Sequence, residues 1–309
     1  MTMAKVIPEP DRFKVTLRAL DVLLKLAASN KGIRSATGAE QERQASRYLL
    51  ELERAFGCRI RKHGSNPTVL TAEAHELAKI ASSYAAALEE FHRKCKSLPP
   101  KITIAAGDSV VNWIILPALK NILAGHNIFF SVRQGGTKGL ITLLHESQID
   151  FAILPQDAPL EKKWECEILG TYEYCICCPK SLLGETVLNK ESASRLDFAL
   201  MTDHWKLDFV EKARHAGMQL NVKIKCETFT QIASLVRTGS FAGILPLSTM
   251  SSFSSKSYQW FKPDFMKETD RKINLVWKPD GAHIKSHVNE IAPPLLKQLR
   301  SELTAKQNI

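Results

Sequence analysis

The sequence lacks the features that direct a chain into or across a membrane. It has no early run of 18 or more apolar residues, and the opening "MTMAKVIPEPDRFK" has no apolar stretch of the kind a secretory leader carries. The expectation is a soluble cytoplasmic protein with no membrane partner. A disulfide framework is also missing, since seven cysteines, an odd number at irregular spacing, suit a reducing compartment. Catalytic signatures are absent too. No His-Glu-x-x-His, no Gly-x-Ser-x-Gly and no Cys–His pair at an interpretable spacing occurs, so no enzyme and no catalytic residue is expected. The nine histidines are scattered, and "GAHIKSH" near the end reads as surface loop. "RQGGTKG" departs from the phosphate-loop pattern G-x-x-x-x-G-K-[ST], which excludes nucleotide hydrolysis of that type.

"CICC" (Cys175, Cys177, Cys178) invites comparison with a metal site. On a strand, however, Cys175 and Cys177 point to one face and Cys178 to the other, and no C-x-x-C pair or nearby His completes a tetrahedron. A buried structural role is the expectation, with thiol sensing the alternative, and no metal or cofactor is expected.

What is present is a chain of 309 residues, 44% of them hydrophobic, enough for about two domains with real cores. Its formal charge is +10, and residues 1–97 hold 17 Lys+Arg against 11 Asp+Glu, so the first third carries over half of the excess. A small basic module suits an anionic polymer such as DNA, although surplus cations also serve solubility. Pro99 and Pro100 in "KSLPPKITI" end the helical first third and open a β-type run.

Upstream of that seam the periodicity is helical. Leu17, Leu20, Leu24 and Ala27 form one stripe, a short helix follows over 33–38, and a third begins in "RQASRYLLELERAFG". In this third helix Ala45, Leu49, Leu52 and Phe56 are spaced four, three and four apart and face a trihelical core, and it stops on Gly57. "CRIRKHGSNPTVLT" then reads as a β-hairpin with a basic tip. Three helices and a hairpin are the order of a winged helix-turn-helix, whose last helix enters the major groove while the wing meets phosphate. Arg43, Gln44, Ser46 and Arg47, in the first turn and a half, are the candidate base and phosphate contacts, with Arg34 and Gln41 ahead of them and Arg61, Lys62 and His63 on the wing. The plain alternative is a solvated polar face. From Thr71 to Cys95 a heptad seam runs through Leu77, Ala81, Tyr84, Leu88 and Phe91, read as a dimerisation helix, the alternative being packing on its own domain.

After residue 100, strands and helices alternate in two successive βαβαβ blocks, which imply two parallel-sheet lobes. "EYCICCP" and "INLVW" sit where the chain crosses to the second lobe and returns. Ligands of such lobes bind in the cleft at the carboxyl ends of strands. Three turns are placed to do so: Asp108, Ser109 and Val110 in "GDSVVN", Gly136 and Thr137 in "RQGGTKG", and Thr228 and Phe229 in "ETFTQ". Ordinary N-capping is the alternative at each.

The whole chain resembles the LysR-type transcriptional regulators. "SRYLLELERAFG" is similar to the family's Ser-Arg-x-Ile-x-x-Leu-Glu-x-x-Leu-Gly stretch, and "VLT" at 69–71 to its Leu-Thr after the wing. The long helix, the seam near residue 100 and two lobes ending at "VWKPDG" follow in family order. The chain departs from the pattern with "RSATGAE" for Ala-Ala-x-x-Leu, Arg43 at a usual proline, Arg61-Lys62-His63 for Phe-x-Arg, and Ala74 for Gly. Those changes make its base preference its own.

The resemblance implies an N-terminal all-α winged helix-turn-helix (1–71), a linker and dimerisation helix (72–98), and a C-terminal α/β two-lobed domain (99–309) like the type II periplasmic binding proteins. Lobe I spans about 101–174 and 270–305, and lobe II about 175–269. It implies a sequence-specific DNA-binding regulator that docks on two promoter or operator half-sites as a homodimer or homotetramer. The partners are double-stranded DNA, a small-molecule effector, which the serines, threonines and helix N-termini suggest is a carboxylate, and RNA polymerase. The alternatives are a small-molecule-binding protein or an enzyme on the same two-lobed scaffold.

Overall fold

The computed structural model describes residues 15–29, 42–62, 69–202, 208–279 and 287–305. The chain divides into two compact units, residues 1–92 with 145–148 and residues 93–144 with 149–309.

In the first unit, helix α1 (Leu17–Ser29) is started by Thr16, whose Oγ1 accepts the Ala19 N–H at 3.2 Å. Helix α2 (Glu42–Phe56) crosses it, and Glu51 ties the two by accepting the Thr16 N–H at 2.7 Å. Their core is Ala19, Val22, Leu23 and Leu26 of α1 against Ala45, Leu49 and Leu52 of α2, closed by Ile60 and Leu70. The stripe expected on α1 is therefore wrong by a rotation: Leu17 is exposed, and Leu20, Leu24 and Ala27 are only half-buried. The apolar arc of α1 is wide enough that spacing alone does not choose its centre. Phe56 is also outside the expected core, 40% exposed on the last residue of α2, just before Gly57 turns the chain out at φ 63°. The short helix expected over 33–38, together with Arg34, Gln41 and His63, lies outside the described residues.

The base of the hairpin is paired. Arg61 and Leu70 form an antiparallel bridge, Lys62 N–H donates to Val69 O at 2.9 Å and Thr71 N–H to Ile60 O at 3.1 Å. Thr71 then caps helix α3 (Ala72–Cys95), its Oγ1 accepting from Ala74 N–H at 3.2 Å. The seam expected on α3 is split between buried and exposed residues. Ala74, Ala78 and Ala81 are buried, whereas Ile80 (67% exposed), Tyr84 (50%), Leu88 and Phe91 (66%) face outward.

The second unit is built on two five-stranded sheets of identical design. Lobe I holds β1 (Lys101–Ala106), β2 (Phe129–Gln134), β3 (Phe151–Pro155), β4 (Glu165–Tyr172) and the late strand β10 (Arg271–Trp277), in the order β2-β1-β3-β10-β4. Lobe II holds β5 (Tyr174–Pro179), β6 (Asp197–Met201), β7 (Asn221–Cys226), β8 (Ala242–Pro246) and β9 (Tyr258–Phe261), in the order β7-β6-β8-β5-β9. The sheets are mixed rather than purely parallel, because β10 and β5 run antiparallel to both of their neighbours. These are the strands the chain uses to come back and to cross over.

Helices cover the sheets. α4 is a rod made of an α-turn at Asp108–Val110, a π-turn at Val111–Ile115 and an α-segment at Leu116–Gly125. α5 (Thr137–His145) follows β2, α6 (Phe209–His215) follows β6, α7 (Phe229–Arg237) follows β7, and α8 (His287–Ala305) ends the fold. β5 is buried along its whole length, and so are its three cysteines. Burial pushes their thiols up, that of Cys178 to about 12, so they stay protonated core groups and not reactive thiolates.

Candidate functional site

On α2 the buried Ala45, Leu49 and Leu52 leave Arg43, Gln44 and Arg47 exposed on the other face, with Ser46 half-buried between. Gln44 is not idle: with Arg18 it stands beside the Tyr48 phenol and holds that hydroxyl below the usual phenol range. The expected wing cations divide. Arg61 is turned inward onto Glu53 of α2, with its Nη2 3.3 Å from Oε2, while the Ile60 and Arg61 N–H groups donate to Glu53 Oε1 at 3.1 and 3.4 Å. Burial raises the Glu53 carboxyl, but the Arg61 guanidinium and these N–H groups outweigh it and hold it below the usual range. Arg61 thus fastens the hairpin to the helix, a role its basic sequence context did not reveal.

In the second unit a cavity of about 480 Å³ opens between the two sheets. Asp108, Ser109, Val110, Gly136, Thr137, Thr228 and Phe229, picked out from three separate turns, all line it. The reason is topological: the turns follow β1, β2 and β7 at the carboxyl ends of parallel strands, where both lobes face the cleft. Sequence reasoning missed the other wall. Tyr172 and Tyr174 flank the crossing residue Glu173, Arg271 opens β10, and Leu140, Ile153, Met201 and Ile273 supply apolar surface. Arg271 stands two residues ahead of the "INLVW" run, so the strand signal lay beside it.

The turns differ in what they have left to offer. Thr228 is the N-cap of α7: its Oγ1 accepts the Gln231 N–H at 3.2 Å, and Gln231 Oε1 accepts the Thr228 N–H at 3.2 Å, a reciprocal capping box. The ordinary capping role therefore holds for this hydroxyl. The next donor of α7 is taken by Asp108 of lobe I, whose Oδ2 accepts from Thr230 N–H at 3.2 Å and from Thr230 Oγ1 at 2.7 Å. Asn112 Nδ2 braces the pair, 3.1 Å from Asp108 Oδ1 and 3.3 Å from Thr230 Oγ1. Asp108 is thus an anion seated at the N-terminus of a helix in the other lobe, a latch across the cleft. By contrast, Gly136 has no side chain to cap α5, although its carbonyl accepts the first helical bond from Leu140 N–H at 3.0 Å.

The Tyr172 hydroxyl is buried and has no hydrogen-bond partner among the described residues, and the Ser109 and Ser248 hydroxyls stand beside it outside bonding geometry. Burial raises it far above the ordinary phenol value, so it remains a neutral donor. Burial likewise pushes Tyr174 up to about 12, against the opposing pull of Arg271. Behind this wall the two crossings are pinned together. Lys262 Nζ donates to Glu173 Oε2 of the first crossing and to Asp270 Oδ2 of the second at 2.8 Å.

Residues 96–287 match the profile of the LysR substrate binding domain, well over half of the chain. The chain belongs to the LysR family. Among solved structures, this LysR-type chain is similar to ArgP from Mycobacterium tuberculosis, at 16% identity over 92% of this chain and 96% of that one, with a TM-score of 0.62. It is also similar to a full-length OxyR variant from Pseudomonas aeruginosa, at 15% identity over 93% and 95% and a TM-score of 0.60. A third is Vibrio fischeri DarR in complex with DNA, at 16% identity over 89% and 99% and a TM-score of 0.51. No curated protein matches the LysR-type sequence by sequence search. The similarity to solved structures spans both units, and it supports the expected architecture of N-terminal helices ahead of a two-sheet α/β domain.

Proposed function

We propose that the chain is a sequence-specific DNA-binding transcription regulator whose activity is set by a small molecule bound between the lobes. The observation that carries this reading is the cleft, where turns from both lobes converge on one cavity in a chain that also presents a basic helix face. Arg43, Gln44, Ser46 and Arg47 meet base edges and phosphates in the major groove, and Lys62 supports them from the wing. The exposed Ile80, Tyr84, Leu88 and Phe91 of α3 form the dimer seam, while Leu77 and Ala81 lie on its inward side. Two copies then dock on half-sites related by the dimer's symmetry.

An effector that binds the closed cleft better than the open one shifts the lobes, and the coupling to DNA is about 1–3 kcal/mol in such systems. Capture of a DNA operator is favoured over transport or catalysis because the basic helix face has no use in either. No helix among the described residues is long and apolar enough to cross a membrane. No group of three or more His, Cys, Asp or Glu among them could hold a metal. The test is a gel shift on the DNA upstream of the neighbouring gene across a salt series. Binding should weaken steeply with salt. Arg47→Ala should cost about 1–3 kcal/mol at one guanine, or lower the salt slope by about one unit if it meets phosphate. Absence of binding, or binding indifferent to salt, rejects this function.

A further inference from the structure

The charges lining the cleft are few and unlike. Among the described residues they are one guanidinium, Arg271, and two carboxylates, Asp108 and Glu227. Arg271 is half-buried at the start of β10 and makes no ion pair among the described residues, its neighbour Asp270 being bonded to Lys262 instead. Among the described residues the Asp108 carboxylate accepts three hydrogen bonds, from Asn112 Nδ2 and from Thr230 N–H and Oγ1, all neutral donors, so no cation there meets its charge and one acceptor position is left. Tyr172, paired directly with Arg271 across β4 and β10, and Tyr174 stand on the same wall with their rings edge to face at 5.7 Å, the Asp108 charge acting on the first hydroxyl and the Arg271 charge on the second.

A ligand carrying only negative charge would suit Arg271 and leave the carboxylates facing it uncompensated. The end of α7, which would otherwise attract an anion, is already filled by Asp108 and the Thr228 cap. A ligand carrying only positive charge would desolvate Arg271 for nothing. We propose that the cleft takes a zwitterion, a free amino acid with an apolar side chain. Its carboxylate lies on Arg271, its ammonium on Asp108, and its side chain along Leu140, Ile153 and Met201. The unpartnered Tyr172 hydroxyl, able both to donate and to accept, bonds to the polar end. This assignment rests on the cleft being the effector site and sharpens the carboxylate expected from sequence into a doubly charged ligand.

The test is calorimetric titration of the full-length chain with L-leucine, L-methionine and L-phenylalanine. The comparison ligands are isocaproate and hydrocinnamate, which lack the amine, and isoamylamine and phenethylamine, which lack the carboxylate. At least one amino acid should bind, and loss of either charged group should weaken binding about tenfold or more. Arg271→Gln should weaken the amino acid to a similar degree and leave the amine unaffected. Asp108→Asn keeps an oxygen for Thr230 and should erase the preference for the amino acid over its deaminated acid.

The proposal is overturned if no amino acid binds, or if a deaminated acid binds as tightly as its parent; both comparisons use the unmutated chain. Gly136→Trp, which plugs the cavity, separates the two levels of failure. A deaminated acid whose binding is abolished by the plug leaves the cleft as effector site and rejects only the zwitterion. A ligand whose affinity neither Gly136→Trp nor Arg271→Gln changes binds elsewhere and rejects the cleft itself.

Discussion

The two lobes share a strand order, and α5 and α7 occupy equivalent places after the edge strands β2 and β7, yet they begin in opposite ways. α7 is closed at its start: Thr228 and Gln231 cap one another, and Asp108 from lobe I occupies the next donor. α5 begins after Gly135 and Gly136, which carry no side chain to cap it. One lobe therefore has a finished helix end that holds Asp108, and the other starts its helix on residues without side chains. The same asymmetry appears beneath the helices. Paired with Ala199 of β6 is Gly243 of β8, whereas the matching pair in lobe I is Ala105 and Ala152. A Cβ on Gly243 would come within 2.6 Å of Ile232 Cγ2 and 2.8 Å of Val236 Cγ2, so α7 sits a methyl closer to its sheet than alanine allows.

The largest expected effect breaks this close packing. Gly243→Val should destabilise the chain by about 3 kcal/mol, the upper end of typical overpacking costs, read as a lower urea midpoint. An unchanged midpoint would mean that α7 is free to ride outward as a valine is added.

Next in size is the pin between the lobes. Lys262→Met leaves Glu173 and Asp270 half-buried and facing each other without their cation, at a cost of about 2 kcal/mol at neutral pH. The sign with pH follows from the groups involved. Burial outweighs the bond from Lys262 and raises the Asp270 carboxyl above the usual value, so its protonated form is the one folding favours. Without Lys262 that value rises further, and the variant's deficit should grow as pH climbs through it from the acid side and shrink in acid. Burial opposes the charge on Lys262, but Asp270 and Glu173 outweigh it and raise its ammonium above the usual value. Its contribution should therefore be present below the ordinary lysine range and be lost in strong alkali.

The smallest pair of effects tests the helix starts directly. Thr228→Ala should cost about 1 kcal/mol by removing a cap, while Gly136→Ser, which adds one, should gain a few tenths of a kcal/mol. There is room for that hydroxyl, since a Cβ on Gly136 meets nothing within 4 Å. If both changes destabilise, α5 is not the open counterpart of α7.

Much of this architecture was readable from sequence, and the failures have physical causes. Alternation of apolar runs with helical periods revealed both βαβαβ blocks, and the turns beyond β1, β2 and β7 were found because helix starts carry their own chemistry. β4 and β9 escaped notice: β4 exposes residues 165–168, and β9 has four half-buried residues, so neither offers an apolar run. α8 was hidden by Pro293 and Pro294, which argue against a helix locally but are overridden by buried Ile291, Leu295, Leu299 and Leu303. Tyr172 carried no local signal and Arg271 only the strand run beside it, because a cleft wall formed by a returning strand exists only in three dimensions. On α2 the frame of Ala45, Leu49 and Leu52 was legible, but Arg61 was not seen to belong to Glu53, since that pairing depends on where the hairpin folds back.

The interleaving of the sheets also dictates an order of assembly on the ribosome. Lobe II is contiguous, and its last strand ends at Phe261. Lobe I must wait for β10, because β4 has no neighbour until Arg271–Trp277 slides between it and β3. During synthesis the second lobe can therefore be finished while the first is still missing an inner strand, and β3 and β4 spend that interval as unpaired edges. A translational pause or a truncation between residues 262 and 270 would present the cell with one complete lobe and one open sheet, the state of this chain most exposed to misassembly.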